Sequence, residues 1–131
     1  MKLRALTILI ALCTGGLAAA QDAEPWARLP QPVTNNAVAG VERAGRGMAY
    51  SFAGRHAGKT WRDVTADAYA CDRDARTCRD IAGLPDGIGR LASVAVTVAG
   101  QIYIFGGYTV AEDGSEASTP EVWRFDPGSE T

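Results

Sequence analysis

The chain has 131 residues, of which 47% are hydrophobic and 21% charged, and its formal net charge is −2. Its charges are scattered rather than grouped in blocks. This composition is that of a globular protein and not of a disordered tail. Because the balance is acidic and no basic block is present, we expect no nucleic acid among its partners.

The first 20 residues have the pattern of a cleaved export signal. Two cations, Lys2 and Arg4, precede an apolar run over residues 5–12, and the small residues 18–20 follow. The run is shorter than the roughly 20 residues that a membrane-spanning helix needs, so we expect no membrane anchor. Cleavage after Ala20 predicts an exported protein, periplasmic or secreted, with a mature net charge of −4.

Two cysteines remain after the signal, Cys71 and Cys78, seven residues apart. In an exported chain such cysteines usually pair, so a local disulfide is predicted. The alternative is a metal site. The cysteine spacing is not that of a zinc knuckle, and His56 is the only histidine. We therefore predict no metal.

An internal repeat with a period of about 50 residues organises the rest of the chain. Three landmarks recur in order at spacings of 53 to 55 residues. They are Leu29-Pro30 with Leu84-Pro85, Tyr50–Gly54 with Tyr103–Gly107, and Tyr69–Asp72 with Trp123–Asp126. Three matches at nearly one spacing indicate two copies of one supersecondary unit.

The second copy is predicted to be all β. Ser93–Val98 alternates apolar and polar residues, and Gln101–Phe105 is rich in β-branched and aromatic residues, so the two segments predict a hairpin. Tyr108–Pro120 is predicted to be a long polar loop, and Glu121–Asp126 a third strand. Three strands do not bury both of their faces, so such units stack, as the blades of a propeller do.

The order of these landmarks resembles the kelch repeat. The matching residues are Gly106, Gly107, Trp123 and Asp126. The first copy departs from the pattern, with Ala53 in place of a glycine and Cys78 where a tryptophan would stand. The resemblance implies an all-β, kelch-type β-propeller, in which the disulfide joins the third and fourth strands of the first blade.

The same resemblance implies a blade assignment. Residues 26–30 are expected to be a closure strand that completes the last blade, 33–81 the first blade, and 84–131 an incomplete second blade. This amounts to about one and three quarter blades of a probable six, so the chain is expected to be the N-terminal part, residues 21–131 after the signal, of a longer propeller.

No cofactor site and no catalytic machinery are predicted. Residues 87–92 fit the glycine pattern of a dinucleotide site, but that site needs a strand before it and a helix after it. Here Leu84-Pro85 precedes and a valine-rich strand follows. One histidine and two paired cysteines do not form a nucleophilic triad.

Four residues are candidates for ligand contact, each with a structural alternative. They are Arg90, Tyr108, Trp61 and His56. The two aromatic residues lie on predicted loops, where they either stack on a sugar or pack under the loop. Arg90 begins an innermost strand and either reaches a channel ligand or binds backbone carbonyls. His56 either contacts an anion or is merely exposed.

The layout is similar to the periplasmic kelch propellers that include N-acetylneuraminate epimerase. This resemblance implies an enzyme that interconverts the anomers of sialic acid. Because the sequence shows no catalytic machinery, we favour instead a propeller that binds a glycan or protein outside the cytoplasm, with the enzyme as the alternative. Galactose oxidase-like proteins share the architecture, but their copper centre uses two histidines, tyrosines and a thioether-forming cysteine. The sequence does not supply that set.

Overall fold

The structure is a computed structural model that describes residues 25–131. The predicted export signal lies outside the described residues. Within residues 25–131 the chain forms two antiparallel sheets, a short hairpin and one 3-10 turn at Trp61–Asp63, with no α-helix. In this range no helix is long and apolar enough to cross a membrane.

The first sheet is a four-stranded antiparallel meander. Its strands are β1 (Ala37–Arg43), β2 (Arg46–Arg55), β3 (Val64–Asp72) and β4 (Thr77–Ile81). The two residues between β1 and β2, Ala44 and Gly45, both have positive φ, 51° and 76°. This backbone is the one that connects antiparallel strands in two-residue hairpins. The four strands form one blade.

The second sheet has three strands. In chain order the elements are β5 (Val94–Val98), β6 (Gln101–Phe105), β7 (Tyr108–Val110), β8 (Glu116–Ser118) and β9 (Val122–Phe125), and the sheet has the order β5-β6-β9. The three predicted strands are confirmed. The prediction of a loop over Tyr108–Pro120 was wrong in part, because β7 and β8 pair as a hairpin within it. Strands of three residues are too short to show an alternation in the sequence.

The repeat is visible in the backbone as well as in the sequence. Ala53 and Gly54 end the long regular part of β2 with φ of 56° and 111°, and Gly106 and Gly107 follow β6 with φ of 49° and 95°. Ala53 therefore adopts the left-handed conformation that its glycine counterpart adopts. An alanine in this conformation costs about 1–2 kcal/mol, but the path of the chain is unchanged.

The hydrophobic core lies between the two sheets. The Phe125 ring packs against the rings of Tyr50 and Phe52, each with a centroid distance of 5.2 Å. The remaining buried members are Ala37, Ala39, Val41, Ala68, Ala70, Ile102 and Ile104. A hydrogen bond from Thr97 Oγ1 to the Gly40 carbonyl, at 2.7 Å, links β5 to β1. The sheets are thus stacked face to face.

The outer face of the second sheet is apolar and exposed. Val94 is 63% exposed and pairs across the sheet with Phe105, which pairs in turn with Val122 on the same face. In the repeat, Phe105 corresponds to Phe52 of the first sheet. The face of the first sheet that holds Phe52 is buried by the second sheet. Each sheet therefore has one face built to be covered by a neighbour, as in stacked repeats.

Residues 26–30 form no strand with the described part of the chain. Trp26 Nε1 donates a hydrogen bond to the Arg73 carbonyl at 3.2 Å, and Arg76 Nε donates to the Trp26 carbonyl at 3.1 Å. The segment lines a small cavity with Cys71 and Cys78, on the face of the first sheet that points away from the second. Its role as a closure strand stays a prediction.

The predicted disulfide between Cys71 and Cys78 is confirmed. The two residues face each other directly in β3 and β4. The bond therefore ties the outermost strand of the first sheet to its neighbour, and β4 has no other strand partner within residues 25–131.

Removing both sulfurs with Cys71→Ala/Cys78→Ala is expected to lower the free energy of unfolding by about 2–3 kcal/mol, because the bond closes a short loop in the unfolded chain. Urea unfolding of the oxidised natural protein and the double variant measures the difference. Addition of a reductant should destabilise the natural chain and leave the variant unchanged. Equal stability of the oxidised protein and the variant would contradict the prediction.

Candidate functional site

The long connections of both sheets gather at one end of the molecule, called here the loop end and made of residues 56–63, residues 82–93 and the β7–β8 hairpin. The Gly54 amide donates to the Arg90 carbonyl at 2.9 Å, and the Ala92 amide donates to the Asn35 carbonyl at 3.2 Å. These bonds fasten the start of β5 to the first sheet. Because exposed loops on a rigid scaffold carry most binding sites, this end is the candidate functional site.

His56 lies beside a carboxylate and a phenol. Its Nε2 is 3.2 Å from Asp67 Oδ2 and 3.5 Å from the Tyr69 hydroxyl. The pairing of β2 with β3, which continues to Arg55 opposite Val64, brings these positions together. Tyr69 is buried, and burial followed by the charges of Asp67 and Asp80 raises the pKa of its hydroxyl. The phenol is therefore neutral at physiological pH.

Trp61 begins the 3-10 turn, which Thr60 and Asp63 cap. Asp63 Oδ2 accepts hydrogen bonds from the Thr60 amide at 2.8 Å and from its hydroxyl at 2.7 Å, and these bonds lower the pKa of the Asp63 carboxyl. The Arg62 guanidinium lies 4.4 Å from the centroid of the Trp61 ring, in a cation–π contact. One face of the indole is thus covered by a cation.

The two blades contact each other at the loop end through an ion pair. Arg62 reaches across to Glu112 in the turn between β7 and β8, with 3.1 Å between Arg62 Nη2 and Glu112 Oε1. Both side chains are exposed, so the pair contributes little to stability. The pair places the loop of the first blade next to the hairpin of the second.

Tyr108 is half-buried at the start of β7. Its amide donates to the Leu91 carbonyl at 3.0 Å, and the Leu91 amide donates to the Tyr108 carbonyl at 2.9 Å. The backbone of Tyr108 therefore joins the second sheet's exit loop to the segment that carries Arg90. Tyr108 and Arg90 are neighbours, while His56 and Trp61 share the loop of the other blade.

Arg90 is almost completely buried, with 1% of its side chain exposed. Its guanidinium pairs with Asp86, its Nε donates to the Ile88 carbonyl at 3.4 Å, and its Nη1 is 3.9 Å from Glu121 Oε2. Within residues 25–131, Nη1 has no hydrogen-bond partner. This environment is that of a residue that holds the 86–90 loop in place, and contact with a ligand stays a prediction.

Sequence reasoning did not find the carboxylates of this end, Asp67, Asp86, Glu112 and Glu121. Asp86 is four residues before Arg90, a spacing that only weakly indicates an ion pair between them. The others meet their partners only through sheet pairing and loop packing, for which the sequence has no pattern. No group of three or more metal-ligating side chains occurs in the described part of the chain.

The residues of the kelch pattern have structural roles. Gly107 has φ of 95°, and a Cβ there would lie 2.5 Å from Ser93 Oγ and 2.6 Å from the Leu91 carbonyl oxygen. Trp123 packs against the core. Asp126 Oδ1 accepts the Gly128 amide at 2.7 Å and closes the turn after β9. Hydrogen bonding by Gly128 is also the main reason why the pKa of the Asp126 carboxyl is lowered.

Comparison with known proteins supports the kelch pattern of the second copy. Residues 89–131 match the family model of the kelch motif. The solved structure of YjhT is similar to this chain with a TM-score of 0.57 and 18% sequence identity, over 81% of this chain and 28% of that one. No curated protein sequence matches significantly. The chain therefore carries a kelch motif and has the all-β strand arrangement of a kelch-type β-propeller.

Proposed function

We propose that the chain belongs to an exported kelch-type propeller protein that binds a glycan, or else a protein surface, at the loop end. The observation that carries the proposal is the contact of Arg62 with Glu112, which brings the loop of the first blade next to the hairpin of the second. Propellers use such loop surfaces because the stacked sheets beneath them are rigid.

The residue types at this end favour a glycan. An indole offers an apolar face to the C–H groups of a sugar ring, and imidazole, carboxylate and guanidinium groups offer hydrogen bonds to its hydroxyls. Trp61, His56, Asp67 and Arg62 supply these groups within one loop and the strand that follows it. A sugar that stacks on Trp61 either uses the ring face that Arg62 leaves free or displaces Arg62.

Two features support export. The pattern of residues 1–20 is that of a secretory signal, and the Cys71–Cys78 disulfide suits an oxidising compartment. Mass spectrometry of the protein in its native host tests this directly. A chain that begins at Gln21 and carries the disulfide is expected, and a chain that retains Met1 or both free thiols would contradict export.

Glycan screening of the natural protein, followed by NMR titration of any bound sugar, tests the binding function. Trp61→Ala is expected to weaken binding at least about fivefold, because stacking of a ring on an aromatic side chain is worth roughly 1–3 kcal/mol. Trp26→Ala is the matched control, since Trp26 is exposed and distant in the fold from the loop end. Binding that both substitutions reduce equally, or neither reduces, would contradict the proposed site.

A second candidate is an enzyme that interconverts the anomers of sialic acid, and the His56–Asp67–Tyr69 arrangement favours it. Ring opening removes a proton from the anomeric hydroxyl and delivers one to the ring oxygen, and ring closure reverses both transfers. A neutral imidazole accepts such a proton, and an adjacent carboxylate stabilises the imidazolium. No cofactor is needed.

The enzyme candidate is tested by NMR exchange spectroscopy of sialic acid anomers with the natural protein. Faster exchange than in buffer, lost in His56→Gln and retained in Trp26→Ala, is the expected result for an enzyme. Exchange at the buffer rate in the presence of a folded protein would exclude the mutarotase function and leave the binding function.

A further inference from the structure

The dipeptide Asp-Gly occurs twice in the chain, at Asp86-Gly87 and at Asp113-Gly114, and the two pairs lie in similar turns. Both glycines have positive φ, 66° and 82°, and a Cβ added at either would meet nothing within 4 Å. Each glycine amide donates to a carbonyl three residues earlier, that of Leu84 at 2.9 Å or that of Ala111 at 3.0 Å. The backbone around the two pairs is therefore nearly the same.

The two carboxylates also have one contact in common. Asp86 Oδ1 accepts the Ile88 amide at 3.0 Å, and Asp113 Oδ1 accepts the Ser115 amide at 2.9 Å. A bond from an aspartate oxygen to the amide two residues later holds the carboxyl group beside the peptide between them. In both turns the carboxyl group is thus held on the side of the glycine nitrogen.

The second carboxylate oxygen distinguishes the turns. Asp86 Oδ2 pairs with the guanidinium of Arg90, and the two side chains are 22% and 1% exposed. Asp113 is exposed in the turn between β7 and β8. The hydroxyl and amide of Ser115 lower the pKa of the Asp113 carboxyl, and no cation within residues 25–131 contributes to this shift. Only Asp86 is therefore held by a buried charge.

We propose that Asp113 is a site of spontaneous isomerisation to isoaspartate, and that Arg90 protects Asp86 from the same reaction. The Gly114 nitrogen forms a bond to Asp113 Cγ, the bond from Cγ to its hydroxyl breaks, and the amide hydrogen leaves with that hydroxyl as water. A second water opens the cyclic imide. Cleavage between Cγ and the nitrogen restores aspartate, whereas cleavage between the main-chain carbonyl carbon and the nitrogen gives isoaspartate.

The two sites differ in what ring closure destroys. At Asp86 it removes an oxygen and the charge that pairs with Arg90. Leaving a buried guanidinium without its nearest counterion costs more free energy than about a factor of ten in rate represents. At Asp113 the carboxylate gives up only its bonds with Ser115. Glycine has no Cβ to hinder its nitrogen, so the two pairs are otherwise equally reactive.

Isomerisation at Asp113 would also change the loop end. It diverts the main chain through the side chain and so adds a methylene group to the backbone directly after Glu112. This turn places Glu112 against Arg62. The modification therefore alters the contact between the two blades, whether or not the loop end binds a glycan.

Incubation of the folded natural protein in heavy-oxygen water tests the proposal. Each opening of the imide places one labelled oxygen in the aspartate or isoaspartate, and mass spectrometry of the digested protein measures the label in the peptide of each Asp-Gly pair. A mildly acidic pH is suitable, because the protonated carboxyl loses its hydroxyl more readily. We expect labelling at Asp113 to be at least about tenfold faster than at Asp86. In urea the two rates should become similar.

Two variants identify the groups responsible. Asp113→Glu, which disfavours the ring, should abolish labelling at that position and leave Asp86 unchanged. In Arg90→Met, shown to be folded by circular dichroism, the rate at Asp86 should rise towards that at Asp113. Equal rates at the two sites of the folded natural protein would overturn the proposal. A difference that persists in urea would also overturn it, since the neighbouring residues and not the fold would then be the cause, as would continued protection of Asp86 in folded Arg90→Met.

Discussion

Arg90→Met is expected to lower the free energy of unfolding by about 3–5 kcal/mol, the usual effect of removing one partner from a buried ion pair. The guanidinium of Arg90 is buried and pairs with Asp86, so its removal leaves a partly buried carboxylate without a counterion. The hydrogen bond that Arg90 Nε donates to the Ile88 carbonyl is lost as well. Urea unfolding of the natural protein and the variant measures the loss.

Arg62→Met is the matched control for Arg90→Met. It also removes an arginine from an ion pair at the loop end, but the side chains of Arg62 and Glu112 are 67% and 74% exposed. An exposed pair contributes about 0–1 kcal/mol, so the control should be nearly as stable as the natural chain. Equal effects of the two substitutions would mean that the Arg90 guanidinium is solvated and free to meet a ligand.

Gly107→Ala is expected to lower the free energy of unfolding by about 2–5 kcal/mol, the sum of a left-handed alanine and a steric overlap. The added Cβ would lie 2.6 Å from the backbone oxygen of Leu91 and 2.5 Å from Ser93 Oγ, so the segment before β5 and the exit of β6 would have to separate. The bridge between Leu91 and Tyr108 would be lost with them.

Gly100→Ala separates the two causes. Gly100 also has a positive φ, 79°, but a Cβ there meets nothing within 4 Å. Its cost should therefore be only the backbone part, about 1–2 kcal/mol. Thermal and urea unfolding of both variants give the comparison. If Gly107→Ala lowers the free energy of unfolding no more than Gly100→Ala does, then Gly107 does not lie as close to Leu91 and Ser93 as described here.

The strands of the second sheet were predictable because their chemistry is local. The valines of β5 alternate with smaller or polar residues, and β6 has the bounds that its apolar and aromatic content predicts. The disulfide was predictable because cysteines in a chain with an export-signal pattern usually pair, and the structure places the two opposite each other in neighbouring strands. These features need only one or two neighbouring strands to form.

The ion pairs that connect the two copies of the repeat were not predictable. Arg62 and Glu112 are 50 residues apart, and Arg79 and Glu130 are 51 apart. Their contacts depend on how one sheet is placed on the next, which no periodicity of the sequence records. Ala53 was likewise unexpected in a left-handed conformation, because the stacked sheets fix the backbone there and override the preference of the residue.

The stacking of the second sheet on the first is the central feature of this account, and nuclear Overhauser contacts between aromatic rings test it most directly. In the isotopically labelled protein we predict contacts from the Phe125 ring to the rings of Tyr50 and Phe52, whose centroids are 5.2 Å away. Contacts within each sheet but none between Phe125 and these two rings would contradict the stacked arrangement and, with it, the kelch-type propeller fold.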